Sequence, residues 1–182
     1  MKKLHLILPL ALILCFTFGC QDKAAMAELE EFRAQAAVEE QNKEIAKRFV
    51  EEENKGDAEN NEVFKGLHAP DFSHYFPSNN PKPMSLNEAI ESVKPIFEAF
   101  PDAVWSIEDL IAAGDKVIVR FVFRGTHEGE FMRIPPTGKK VEVGGIAIIR
   151  IENGKIVEDW EDADMFGWMM QLGMELVPKE EK

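Results

Sequence analysis

Cysteine is nearly absent from these 182 residues: only Cys15 and Cys20 occur, both close to the start. From Gln21 onward the chain has no means of forming a disulfide, a thiolate metal site or a cysteine nucleophile. Basic residues are also scarce, 21 Lys and Arg against 33 Asp and Glu, for a formal charge of −12. Such a surface repels phosphates, which argues against nucleic acid and anionic lipid as partners. Histidine is limited to His5, His68, His74 and His127, with no His-Glu-x-x-His spacing among them. No metal ligand set is therefore expected. Thr137-Gly138-Lys139 echoes the end of a phosphate-binding loop, but the glycine needed upstream is missing and Pro135 and Pro136 precede it. The expectation is a protein without metal, nucleotide or other cofactor.

No apolar run reaches the roughly 20 residues of a comfortable membrane span. The longest, Leu4 to Phe18, follows Lys2 and Lys3, is broken by His5, Pro9 and Thr17, and ends at Gly19-Cys20. A basic start, a short apolar stretch and a small residue at the cut predict a signal peptide over residues 1–19. Gly19 before Cys20, with polar Gln21 and Asp22 behind it, resembles a bacterial lipoprotein cleavage site, in which the cysteine becomes the lipidated first residue. Thr17 stands where such sites prefer leucine. Residues 20–37, rich in Ala, Glu and Gln, read as a tether, 38–176 as the folded domain and 177–182 as a charged tail. The protein is expected to be exported and held at a membrane by acyl chains on Cys20. Removing Lys2 and Lys3 with the leader would take the formal charge from −12 to −14.

About 140 residues then remain, enough for one core. Val38, Ile45, Ala46 and Phe49 are spaced as one stripe of a helix that ends near Lys55-Gly56-Asp57. Leu67 to Phe76 reads as a short helix or turn before a loop closed by Asn79-Asn80-Pro81. Ser85 with Glu88 three residues on is a capping box opening a helix through Phe97, which Pro101 stops. The pattern then changes to strands, rich in Val, Ile, Phe and Trp. Val104–Ala112 and Lys116–Thr126 flank a Gly114-Asp115 turn, and Val141–Ile151 and Lys155–Trp160 flank Asn153-Gly154. The two prolines force the loop between these hairpins out of the sheet. Helices, then about four antiparallel strands, then a short helix is an α+β order.

Within it, Gly114-Asp115-Lys116-Val117, Gly125-Thr126-His127, Ile134-Pro135-Pro136-Thr137-Gly138 and Gln171-Leu172-Gly173 occur in a set order. That order resembles the SnoaL-like polyketide cyclases, also called ester cyclases, from Val38 to Leu176. The resemblance implies an NTF2-like (cystatin-like) cone, a curved antiparallel sheet wrapped around N-terminal helices with a pocket inside. It also implies a homodimer paired through the sheets. In that family an aspartate near the end of the last long strand is the general acid/base of an intramolecular aldol condensation, and it matches Asp164. The resemblance likewise matches His74 to a position where relatives carry a pocket-facing histidine.

The residues add their own reading. If the last strand stays extended past Trp160, alternation puts Trp160, Asp162 and Asp164 on one face, with Glu161 and Ala163 pointing away. Asp164 could equally cap the helix beginning near Met165. His127 continues the odd-numbered face of Val117, Val119, Phe121 and Phe123, where it could polarise a carbonyl or tie down the next loop. Phe121, Phe123 and Trp160 supply pocket walls, and His68 is expected at the surface. The Met165, Met169, Met170 and Met174 cluster reads as packing. The resemblance also implies, from some antibiotic-pathway members, polar side chains on the strand before the last long one to hold the substrate. Here Ile146-Ala147-Ile148-Ile149-Arg150 is nearly all apolar, which disfavours a highly oxygenated polyketide. Two functions stay open: cofactor-independent acid/base chemistry on a small carbonyl compound, with Asp164 and His127 catalytic, or a non-catalytic envelope lipoprotein binding a small hydrophobic ligand or a protein partner in the same cone.

Overall fold

The computed structural model describes residues 7–177, with side chains described from residue 23 onward. The expected signal peptide and the lipidation at Cys20 lie outside the residues whose side chains are described. The chain divides into two compact units, Met1–Val38 and Glu39–Lys182. Among the described residues no helix is long and apolar enough to cross a membrane.

In chain order the elements are α1 (Ile7–Glu53), α2 (Glu62–Leu67), β1 (His68–Tyr75), α3 (Leu86–Ala99), β2 (Val104–Ala113), β3 (Lys116–Thr126), β4 (Lys140–Glu152), β5 (Lys155–Ala163) and α4 (Met165–Leu172). The strands form one curved, open sheet in the order β1-β5-β4-β3-β2. Four of the five strands match the expected ones to within three residues. Asn153 and Gly154 both adopt positive φ, 51° and 75°, as the tight hairpin between β4 and β5 requires. Ser85 and Glu88 make the reciprocal capping box that opens α3.

β1 corrects the expected short helix or turn at Leu67 to Phe76. It is an edge strand, paired in parallel with β5, and its register slips between His68 and Ser73. Pro70 lies within that slip, where a missing N–H costs the ladder nothing. Proline and charge had disguised the strand.

The core fills the inner face of the sheet. Val117, Val119, Ile149, Ile151 and Ile156 pack with Ala46, and Ile45 and Phe49 of the same helix lean on them. Val38, expected on that stripe, is 49% exposed. The C-terminal part of α1 is also fastened by polar groups. Asn42 donates to the Gly114 carbonyl at 3.0 Å, and Asn54 exchanges two hydrogen bonds with the Trp105 backbone, at 2.8 and 2.9 Å. An amide side chain matched to a strand's N–H and C=O fixes the helix end in register with the sheet edge.

A second cluster surrounds Phe100, which is fully buried. Its ring lies 5.4–5.5 Å from those of Phe123, Phe131 and Trp168. Such tilted and edge-on aromatic pairs add to the burial term.

One glycine decides how far the inner space stays open. Gly145 sits opposite Phe121 in the β3–β4 ladder, and a Cβ there would lie 2.2 Å from the Phe121 ring. The bare backbone lets the ring lie against the sheet. Gly145→Ala should lower stability by about 1–3 kcal/mol in urea denaturation, because the ring must swing into the interior. An unchanged midpoint would show that Phe121 can move aside freely.

Candidate active site

Between the sheet, α1 and α3 lies a cavity of about 480 Å³. Phenylalanines dominate its wall, Phe49, Phe64, Phe72, Phe97, Phe121 and Phe123 among them, with Trp105 and Trp168. Met132 lines it while remaining 62% exposed, so it forms part of the mouth. The ionisable groups in the wall are Glu53, His68, His74, Asp159 and Glu161, and no lysine or arginine is among the lining residues. An apolar cavity with a few convergent polar groups is the usual form of a small-molecule site.

The phase of β5 brings these acids inside. Ile151 pairs with Ile156 but Arg150 pairs with Glu158, leaving Val157 as an extra residue on β5. This bulge reverses the alternation. Ile156 points into the core, and beyond the bulge Asp159, Glu161 and Ala163 point into the cavity. Trp160 and Asp162 consequently face the other way. This corrects the expected pocket face of Trp160, Asp162 and Asp164. Trp160 stacks on Tyr75 with ring centres 5.6 Å apart, and Asp162 is exposed and accepts the Ser78 backbone N–H at 3.1 Å.

Asp164 is the N-cap of α4. Its exposed carboxyl accepts the Gly167 N–H at 2.7 Å and is not part of the cavity wall. Once the strand ends at Ala163, the next carboxyl is better used on the unpaired N–H groups of the helix start.

His127 is another correction, since it is wholly buried but does not line the cavity. Its Nδ1 accepts the Thr137 N–H at 3.3 Å and lies 3.0 Å from the Thr137 hydroxyl, while its ring stacks on Phe100 at 5.1 Å. Burial pulls its pKa down, with a smaller opposing effect from the Gly129 carbonyl. It is a neutral tie for the proline-containing loop. His68, expected at the surface, is buried against Phe72 and Phe64 and pairs through Nδ1 with the Phe64 carbonyl at 2.9 Å. Burial lowers its pKa too, so it is neutral near pH 7.

His74, Phe121 and Phe123 stand in the cavity wall as expected. His74 Nδ1 meets Asp159 Oδ1 at 2.5 Å, joining β1 to β5. Burial opposes the charged ring, but the hydrogen bond and charge of Asp159, helped by Glu161 and Glu53, outweigh it and raise the His74 pKa. With Nδ1 engaged, Nε2 is the nitrogen left without a protein partner among the described residues.

Glu53 and Glu161 were missed in the sequence. Burial, then the charges of Glu161 and Asp159, push Glu53 up to about 8 despite His74. Burial and Asp159 push Glu161 up to about 7. Both are half-buried and line the cavity. Among the described residues no three His, Cys, Asp or Glu groups are arranged to hold a metal ion.

Residues 43–172 match the family model for SnoaL-like polyketide cyclases. The chain belongs to that family. Among solved structures, IdmH of Streptomyces antibioticus, a candidate polyketide cyclase, is 29% identical over 73% of this chain and 99% of its own, with a TM-score of 0.64. AclR of Streptomyces galilaeus, a candidate hydroxylase, is 27% identical over 78% of this chain and 91% of its own, with a TM-score of 0.67. A SnoaL-like protein of Jannaschia sp. CCS1 is 25% identical over 76% and 96%, with a TM-score of 0.64. No curated protein matches.

The site makes stability depend on pH in a defined sense. Glu53, Glu161 and His74 all bind protons more tightly in the folded chain than in the unfolded one. Their contribution is complete at low pH and is lost as pH rises through the folded values. The lowered His68 and His127 act in the opposite sense only at lower pH, as they become charged. Between about pH 6.5 and 8.5 the melting temperature should therefore fall, by roughly 4 °C. Glu53→Gln should flatten that slope. A melting temperature that rises over the interval would contradict the buried acids.

Proposed function

We propose that this member of the SnoaL-like polyketide cyclase family carries out acid/base chemistry on a small, apolar carbonyl compound, with His74 as the proton carrier and Asp159 as its orienting partner. The supporting observation is a His–Asp pair at 2.5 Å in the wall of an otherwise aromatic cavity. Asp159 accepts from Nδ1 and fixes the tautomer, which leaves the Nε2 lone pair for a proton flanking a carbonyl. The proton moves from carbon to Nε2, the C–H pair becomes the C=C bond of an enolate, and the carbonyl π pair moves onto oxygen. Against the effect of burial, the hydrogen bond and charge of Asp159 raise the His74 pKa, which makes the ring a stronger base. The aromatic wall excludes water and suits a ligand that is mostly hydrocarbon.

The test is exchange of the α-protons of 2-tetralone in deuterium oxide, followed by NMR. The protein should accelerate exchange, and Asp159→Asn should reduce the accelerated rate about 100-fold or more. Asp164→Asn keeps a good helix cap and should leave the rate within about twofold. Exchange no faster than in buffer, or wild-type exchange by Asp159→Asn, would dispose of the reading.

A further inference from the structure

The acid/base reading uses His74 and Asp159 and leaves two carboxyl groups in the same wall without a task. Glu53 comes from the last turn of α1 and Glu161 from β5. Neither side-chain carboxyl makes a hydrogen bond or ion pair with the protein among the described residues. The adjacent Glu52 shows the contrast. It is held by Lys55, by Asn61 at 2.8 Å and by Arg48 at 2.6 Å, and the Lys55 contact leads in lowering its pKa. One helix turn thus presents one ionised glutamate to cations and one glutamate to an apolar cavity.

We propose that Glu53, with Glu161 beside it, is a neutral hydrogen-bond donor to the oxygen of the ligand, so that the site selects uncharged apolar compounds bearing an enolisable carbonyl or a phenolic hydroxyl. This rests on the acid/base reading for the location of the site and adds to it the group that receives the oxygen. The cavity offers no lysine or arginine to a carboxylate or phosphate ligand, and the one imidazole able to become charged is already paired with Asp159. A carboxylic acid kept protonated in an apolar site can donate to a carbonyl, and donates more strongly as that oxygen gains charge. The groups facing Glu53 are Glu161 and Asp159 from β5 and His74 from β1, and the two carboxyls favour its neutral form. His68, also in the wall, is neutral near pH 7. Asn54, locked to the Trp105 backbone, holds the end of α1 in place, so the donor is positioned before a ligand arrives.

Equilibrium binding to the full chain tests the proposal with three naphthalene probes that differ only in one substituent: 2-naphthol, 2-methylnaphthalene and 2-naphthylmethylammonium. At about pH 6.5, 2-naphthol should bind roughly tenfold tighter than the methyl compound, and that advantage should shrink toward pH 9 as the acids ionise. Glu53→Gln retains an uncharged donor. It should keep 2-naphthol affinity within about threefold and lose most of the pH dependence. Glu53→Leu should abolish the preference for the hydroxyl; if that variant does not fold, the Glu53→Gln pH profile decides alone. The proposal is overturned if the ammonium probe binds tightest, which would mean ionised acids. It is equally overturned if Glu53→Leu keeps the hydroxyl preference, or if Glu53→Gln retains the full pH dependence. Because these are equilibrium measurements, tetralone exchange can fail while naphthol recognition succeeds, and the reverse.

Discussion

One extra residue in the last strand determines which side chains this cavity contains. Side chains on a strand alternate, so a bulge at Val157 exchanges the roles of all odd and even positions after it. Without it, Trp160 and Asp162 would face inward, and Asp159 and Glu161 would be solvated. With it, β5 delivers two acids to the interior, and the edge strand β1 supplies His74 to pair with one of them. The bulge also separates two functions of one strand. Ile156 before it belongs to the core that holds the sheet to α1, and the residues after it belong to the cavity.

Burying three carboxyls and a histidine opposes folding unless their charges are paired or discharged. Both solutions occur here. Asp159 is paired with His74, and Glu53 and Glu161 hold their protons to higher pH because burial and the neighbouring carboxyl charges outweigh the charge of His74. The aromatic cluster about Phe100, and the ladder fastened to α1 through Asn42 and Asn54, offset that cost with packing and hydrogen bonds in which the acids take no part. Hence the polar groups remain available to a ligand and the framework does not depend on them.

Much of the fold was legible because it rests on local rules. Asn153-Gly154, Gly114-Asp115, the Ser85–Glu88 box and the Val- and Ile-rich strands each carry their own signal, and each has the expected structure. β1 was not legible, because its ladder is a parallel one to a strand more than eighty residues away, and Pro70 and Asp71 hide its alternation. The candidate site was legible in part. His74, Phe121 and Phe123 line the cavity, the histidine having been named through family resemblance and the phenylalanines through period-two alternation. Asp159 and Glu161 were lost to the bulge, which only cross-strand pairing reveals. Glu53 was lost because a glutamate beside Glu51 and Glu52 reads as a solvated helix face. For Asp164 and His127 the structure takes the second of the two readings the sequence left open: one is used by a helix terminus and the other by a loop.

The fold alone does not select a reaction, since similar structures include a candidate cyclase and a candidate hydroxylase. Selection has to come from the wall of the cavity. Here the wall is largely hydrocarbon, with all of its carboxyls and its paired imidazole drawn from α1, β1 and β5. A ligand with many oxygens would leave most of them unpaired against phenylalanine, at a cost of about 1–3 kcal/mol each. In the proposed reading, a ligand with one activated carbonyl lies with its carbon toward His74 and its oxygen toward Glu53. The division between a greasy wall and a compact polar side therefore favours the proposed reading over family membership alone: one reacting centre, on an otherwise apolar molecule, with proton movement as the operation.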